Sequence, residues 1–167
     1  DVDRVIVNSK NTYETILEYL KRIDKENVEV VLNENEDLTK MHDIAGQIEE
    51  MKERKIWLKC GGFITIDKTE ALTAIDINSG KFTGKKNSSK ENTIYKVNQE
   101  ATVEIAKQLR LRNISGIIVI DYIDMEEEQD RKNIMNLLEK ELKKDRSKTQ
   151  IMGFTKLDLL EMTRKKL

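Results

Sequence analysis

Two apolar runs in this chain end in the same way: Leu72-Thr-Ala-Ile-Asp76 and Ile117-Ile-Val-Ile-Asp121 stay apolar until a carboxylate closes them. Runs this short and this rich in Ile read as strands of a well-covered sheet, and a carboxylate at such a tip is costly to bury without a partner. Open α/β sheets place ligands at the carboxyl ends of their strands, and neighbouring strands lie about 5 Å apart. If these two strands are neighbours, both carboxylates can share one ion. Because side chains alternate along a strand, Asn78 projects from the same side as Asp76 if the strand continues that far. Asp-x-Asn on one tip and Asp on another make an oxygen-rich site suited to Mg²⁺, which takes one or two carboxylates and keeps several waters. The plainer alternative is that each aspartate forms a turn or caps the next element.

The segments around these strands set the expected architecture. Val2 to Val7 reads as a strand, and Tyr13, Ile16, Leu17, Leu20 and Ile23 recur at helical spacing behind Asn11 as a cap. Val28 to Leu32 reads as a second strand. After the polar loop Asn33 to Asp37, the positions Met41, Ile44, Ala45 and Ile48 predict one amphipathic helix ending near Arg54. Residues 1–54 thus form a β-α-β-α segment, too small for a robust domain alone and expected to pack on something else.

From Lys55 the period changes to two. Ile56 to Leu58, Phe63 to Ile66 after Gly61-Gly62, and Ala71 to Ile77 after Lys68-Thr69 predict an antiparallel meander. A lysine-rich loop, Asn78 to Asn92, leads into a helix with Ile94, Val97, Ala101, Ile105 and Leu109 on one stripe. The strand Gly116 to Asp121 follows, then a helix carrying Ile134, Leu137, Leu138 and Leu142, with Asp124 and Glu127 spaced like a capping pair. Gln150 to Phe154 reads as the last strand and Leu157 to Thr163 as the last helix. Residues 55–167 are therefore expected to form one α/β domain on a mixed sheet.

Composition narrows the chemistry. A single cysteine, Cys60, excludes an internal disulfide or a Cys-rich zinc site, and a single histidine, His42, excludes a His-paired metal site. Any metal must be a hard ion held by oxygen. His42 reads as ordinary surface, Cys60 as a structural thiol, Asp124 as a cap, and Asp67 and Glu70 as solvated turn residues. No apolar run approaches the roughly 18 residues of a membrane span, and the start lacks a signal peptide's basic and apolar regions, so a soluble cytoplasmic protein is expected. The chain opens on Asp1 instead of Met, as a piece of something longer would.

Charge divides unevenly. Residues 1–54 hold 8 Lys/Arg against 14 Asp/Glu, net −6, and residues 55–167 hold 22 against 17, net +5. That asymmetry points to a polyanion at the second part. Lys81 and Lys85 in the loop, Arg110 and Arg112 in Gln108-Leu-Arg-Leu-Arg, and Lys148 near Arg146 are candidate contacts to a nucleic-acid backbone. With aromatics at 5%, backbone contact is expected in preference to base stacking. The run Gly80-Lys-Phe-Thr-Gly84-Lys85-Lys86 imitates a phosphate loop, but only three residues separate its glycines and Lys86 stands where a hydroxyl belongs. Nucleotide hydrolysis is excluded on that ground.

Read together, Gly61 to Gly80, Asn98-Gln-Glu-Ala101, Gln108-Leu-Arg-Leu-Arg112, Gly116 to Met125 and Leu160-Glu-Met-Thr-Arg164 resemble the catalytic core of the ribonuclease E/G family, in order across 55–167. The resemblance implies a DNase I-like subdomain there, a mixed sheet with flanking helices. It is looser over 1–54, where it implies part of a ribonuclease H-like subdomain. It further implies endonucleolytic cleavage of single-stranded RNA to 5′-phosphate and 3′-hydroxyl ends, with Asp76 and Asp121 binding Mg²⁺ and Asn78 orienting the site. The family's OB-fold domain and 5′-end pocket are not found in these residues, nor is the Cys-x-x-Cys zinc link expected after the final helix. A zinc-linked dimer is therefore not expected of this chain, although a full-length parent can be a homo-oligomer, and weak activity is expected of the piece. The rival readings are a non-catalytic RNA-binding or assembly module, and a Mg²⁺ phosphoesterase of small molecules, which the basic residues disfavour.

Overall fold

The computed structural model of this chain describes residues 2–80 and 90–167. Lys81 and Lys85, and with them most of the lysine-rich loop, lie outside the described residues. Two compact units make up the chain, Asp1–Glu50 and Met51–Leu167.

In the first unit β1 (Arg4–Val7) and β2 (Glu29–Leu32) pair in parallel, Arg4 opposite Glu29 and Val7 opposite Leu32, and α1 (Lys10–Arg22) is the crossover that a parallel pair requires. The helix is capped by Ser9 and not by Asn11. Ser9 has extended backbone and its hydroxyl accepts the Thr12 N–H, whereas Asn11 already lies in the first turn with its carbonyl taking the Thr15 hydroxyl. The one helix expected toward Arg54 is two: α2 (Leu38–Met41), capped by Asp37, and α3 (Ile44–Glu50). Asp43 between them has φ 47°, a left-handed conformation that aspartate tolerates and a continuous helix does not.

The second unit holds β3 (Lys55–Trp57), β4 (Phe63–Lys68), β5 (Leu72–Asn78), α4 (Lys90–Leu111), β6 (Gly116–Asp121), α5 (Glu128–Leu142), β7 (Thr149–Phe154) and β8 (Leu159–Arg164). Its sheet runs β3-β4-β5-β6-β8-β7, with β5 and β6 parallel and every other neighbouring pair antiparallel, so the expected mixed sheet is present. The expected helix from Leu157 to Thr163 is instead strand β8. Leu160, Met162 and Arg164 turn inward and Leu159, Glu161 and Thr163 outward, a period of two that a helix cannot satisfy. A turn at Thr155–Leu159 folds β8 back on β7, with the Thr155 hydroxyl accepting the N–H groups of Leu157 and Leu159 and Asp158 at φ 57°. The Asp124 and Glu127 capping pair is not formed either: α5 starts after Glu127, which makes no side-chain cap bond.

Both crossovers, β5-α4-β6 and β6-α5-β7, travel the same way across the sheet. Right-handed crossovers moving in one direction put their helices on one face. Accordingly Val97, Ala101, Ile105 and Leu109 of α4, and Ile134, Leu138 and Leu142 of α5, share one core with Ile64, Ile75, Ile77, Ile118, Ile120, Leu160 and Met162 of the sheet. Burying an aliphatic side chain of this size contributes about 1.5–3 kcal/mol. Among the described residues, no helix of this unit lies on the opposite face, which carries Asp76, Asn78 and Asp121.

At the end of the sheet where β6 begins, the Arg164 side chain is fully buried. Its Nε and Nη2 donate to the two oxygens of Asp145 at 2.7 and 3.2 Å, and its Nη1 donates to the Ile114 carbonyl at 2.9 Å and the Asn113 Oδ1 at 3.0 Å. One guanidinium thus ties β8, the turn after α4 and the turn before β7.

Candidate functional site

The parallel register of β5 and β6 sets Asp76 directly beside Asp121. Ile75 and Ile120, one residue earlier, are also partners and are buried, so alternation turns both aspartates to the open face. Asn78 follows on that side, and its Nδ2 donates to Asp76 Oδ2 at 2.6 Å. That bond orients the carboxylate.

The electrostatics are those of an acidic pair. Partial burial, then the charges of Asp76 and Asp124, push the Asp121 carboxyl above its ordinary value. Asp124 is exposed and caps no helix; it adds negative charge beside Asp121. A cation between the tips would offset this repulsion. Among the described residues no three His, Cys, Asp or Glu side chains converge as a cage. Two carboxylates with an amide beside them suit Mg²⁺, which retains waters and binds substrate phosphates, better than an ion demanding an all-protein shell.

Three devices hold the tips in place. Asn98 of α4 is fully buried, and its amide grips the segment after β6 from both sides: Nδ2 donates to the Ile123 carbonyl at 2.8 Å and Oδ1 accepts the Ile123 N–H at 3.2 Å. Next to it Thr102 Oγ1 and Tyr122 Oη lie 3.0 Å apart in the core, and burial pushes the tyrosine's pKa far up. On the other side, the Glu100 carboxylate accepts the N–H groups of Lys59 and Cys60, the latter at 3.0 Å, fixing the turn before β4. The strand carrying Asn78 then passes that turn at close range. A Cβ on Gly62 would stand 2.8 Å from the Asn78 carbonyl oxygen, and one on Gly80, at φ 59°, would stand 2.4 Å from the Gly61 carbonyl oxygen. Only glycine fits at either position.

Asn98 and Glu100 carry no motif that residue chemistry alone would single out. Asn98 does interrupt the apolar stripe Ile94, Val97, Ala101, Ile105, and a polar residue there signals a buried hydrogen-bonding task. Asp67, expected to be solvated, pairs through both oxygens with the guanidinium of Arg54, which holds its carboxyl below the ordinary value. Cys60 is a free, half-buried thiol that burial pushes up, and His42 is exposed at the end of α2.

The remaining candidate cations are not brought to the carboxylates. Arg110 lies in the last turn of α4, Arg112 follows its end and Lys148 precedes β7, all at the end of the sheet where β6 starts, about 17 Å from Asp121 at the usual rise per residue. Arg112 Nε donates to Gln108 at 2.7 Å, and burial pulls its pKa down. Arg110 Nη1 reaches the Glu141 carbonyl at 3.5 Å, and Lys148 is exposed.

The Ribonuclease E/G family model matches residues 1–167. A Ribonuclease G of Salmonella typhimurium strain SL1344 is 44% identical over 99% of this chain and 34% of its own length, and that of Escherichia coli strain K12 is 44% identical with the same coverage. A Ribonuclease E of Nostoc sp. strain PCC 7120 is 37% identical over 99% of this chain and 25% of its own length. The chain thus spans about a third of the length of the first two of these relatives.

Proposed function

Since the chain belongs to the ribonuclease E/G family, we propose that it forms the cleavage core of an endoribonuclease acting on single-stranded RNA, with Mg²⁺ held by Asp76 and Asp121. The observation that carries this is the register pairing of the two aspartates on the sheet face opposite α4 and α5. When bound, the ion supplies charge neutralisation at a phosphodiester and lowers the pKa of a water it holds.

The chain's own residues do the positioning. Asp76 and Asp121 present their carboxylates side by side, Asn78 fixes the rotamer of Asp76, and Asn98 fixes the segment leaving β6. The open face admits an extended strand where a closed pocket would admit only a small molecule. Water attack on phosphorus with departure of the 3′ oxygen leaves a 5′-phosphate and a 3′-hydroxyl. Lys81 and Lys85 follow Asn78 closely in sequence and are assigned to the phosphates near the cut, while Arg110, Arg112 and Lys148 would meet only a longer strand. The net charge of +5 over 55–167 supports a polyanionic substrate. No helix of the described residues is long and apolar enough to cross a membrane.

The test is cleavage of a short fluorogenic RNA by the full chain with and without Mg²⁺. Asp76→Asn and Asp121→Asn should each lower the rate by at least about 100-fold with thermal unfolding little changed, in line with removing a main electrostatic stabiliser. Cleavage that survives either substitution, or that ignores chelation, overturns the assignment. Salt-sensitive RNA binding without turnover would point to the non-catalytic module.

A further inference from the structure

Trp57, the chain's only tryptophan, is 61% exposed. Its strand explains which way it faces. Ile56 packs against the core, so Lys55 and Trp57 on either side turn to the open face. Lys55 pairs with Thr65 and Trp57 with Phe63 across β3 and β4; Thr65 then pairs with Asp76 and Phe63 with Asn78 across β4 and β5. The indole and the acidic pair therefore share one face, with Trp57 two strands from Asn78, roughly 10 Å at the usual strand spacing.

The ring is also held. Phe63 meets it edge-on with centroids 5.3 Å apart at 62°, and the Lys55 ammonium stands 4.0 Å from the Trp57 centroid and 3.6 Å from that of Phe63. Composition favoured backbone contact because few rings were expected outside the core. The structure differs: one large ring, backed by a second and flanked by a cation, is exposed in line with Asn78, one row from the carboxylates.

We infer that Trp57, with Lys55 beside it, is a stacking platform for an RNA base close to the scissile phosphate. The inference rests on the nuclease reading for the identity of the strand, and adds what holds that strand in register. Point charges contact phosphates without fixing which one sits at the ion, whereas a base stacked on a rigid ring does. Stacking accepts any base, since each has a π face, so the platform positions a strand without demanding a sequence. The Lys55 ammonium, already desolvated in part by two rings, is placed to meet the phosphate of the stacked nucleotide.

Because Trp57 is the sole tryptophan, its emission reports on the platform without any label. The experiment titrates the full chain with a short single-stranded 2′-O-methyl oligonucleotide, measures binding in parallel by anisotropy, and repeats the binding with Trp57→Ala and Trp57→Phe. Saturable quenching is expected, with affinity about 5- to 150-fold weaker for Trp57→Ala and mostly retained for Trp57→Phe. Emission that does not respond to the oligonucleotide overturns the inference whether or not RNA binds elsewhere, as does unchanged affinity of Trp57→Ala. Emission that follows protein concentration and not RNA also overturns it, and identifies β3, an edge strand, as a contact between two copies. Cleavage of fluorogenic RNA by the same preparation keeps the two readings apart. Cleavage without quenching removes only the platform, and quenching without cleavage removes the nuclease reading.

Discussion

The two units of this chain have similar local signals and very different interiors. Over residues 2–50, capping, helical spacing and strand propensity are all present, yet Val7 is the one buried apolar side chain. Leu17, Tyr19 and Ile23, at 42, 57 and 43% exposure, keep much of the apolar side of α1 and its end in solvent. In residues 51–167 a single continuous core runs through both helices and the sheet. The contrast teaches that elements are drawn locally but stability is made between layers. Two parallel strands and one crossover have only one covered face, and isolated strand pairs are marginal in water. Six strands with two helices on one side close a core on that side alone and turn Asp76, Asn78 and Asp121 to the other.

Separating the units should have the largest effect. Residues 51–167 alone should melt cooperatively, whereas residues 1–50 alone should show no cooperative transition by circular dichroism. A sharp melt of the smaller piece would break the comparison. Next in size, Asp145→Asn should cost about 3–5 kcal/mol in denaturant unfolding, because it leaves the buried Arg164 charge without its partner. Burial raises the Asp145 carboxyl, but the hydrogen bonds from Arg164 and the Ser147 N–H outweigh it, so its folded pKa lies below the ordinary 3.8. Its contribution is therefore complete above that value and is lost as pH falls through the folded pKa, so wild-type stability should drop on acidification below about pH 4. Asp145→Asn should lack this step, and an identical acid limb in both proteins would discard it.

Core truncation sharpens the contrast further. Ile105→Ala should cost about 2–5 kcal/mol, while Leu17→Ala on α1 should stay within about 0.5 kcal/mol. Equal losses would mean that α1 is covered as well as α4 is. Ser9→Ala should cost far less than the core truncation, about 0.5–1 kcal/mol of helix stability, read as lower helicity of α1 and not as loss of the larger core.

Much of the fold was legible where a pattern repeats within one element. The meander β3-β4-β5 and the apolar stripe of α4 follow directly from periods of two and 3.6. The Leu159–Arg164 strand was misread because two adjacent leucines after a polar turn satisfy a helix as well as a strand over so short a span. Alternation of Leu160, Met162 and Arg164 decides it only once β6 and β7 flank it. The helix break at Asp43 rests on one backbone angle, and the supposed cap at Asp124 fails because α5 starts only after Glu127, while Asn98 holds the residue before Asp124, Ile123, through both its backbone groups. Asp76, Asn78 and Asp121 were visible as strand tips, Asn98 and Glu100 only within the Asn98-Gln-Glu-Ala101 stretch that carries the family resemblance, and the open ring of Trp57 not at all.

By itself the sequence determined which residues end the two apolar strands, which side of each strand they occupy, and that any ion they hold must be an oxygen-loving one. Those properties follow from alternation and from side-chain chemistry, both local. Only the tertiary structure decided that the two strands are neighbours in parallel register, that both crossover helices cover the same face, and that Arg110, Arg112 and Lys148 fall at the far end from the carboxylates. The physical reason is that hydrogen-bond pairing between strands and the burial of a shared core join residues forty or more positions apart, and no short window of sequence contains both partners.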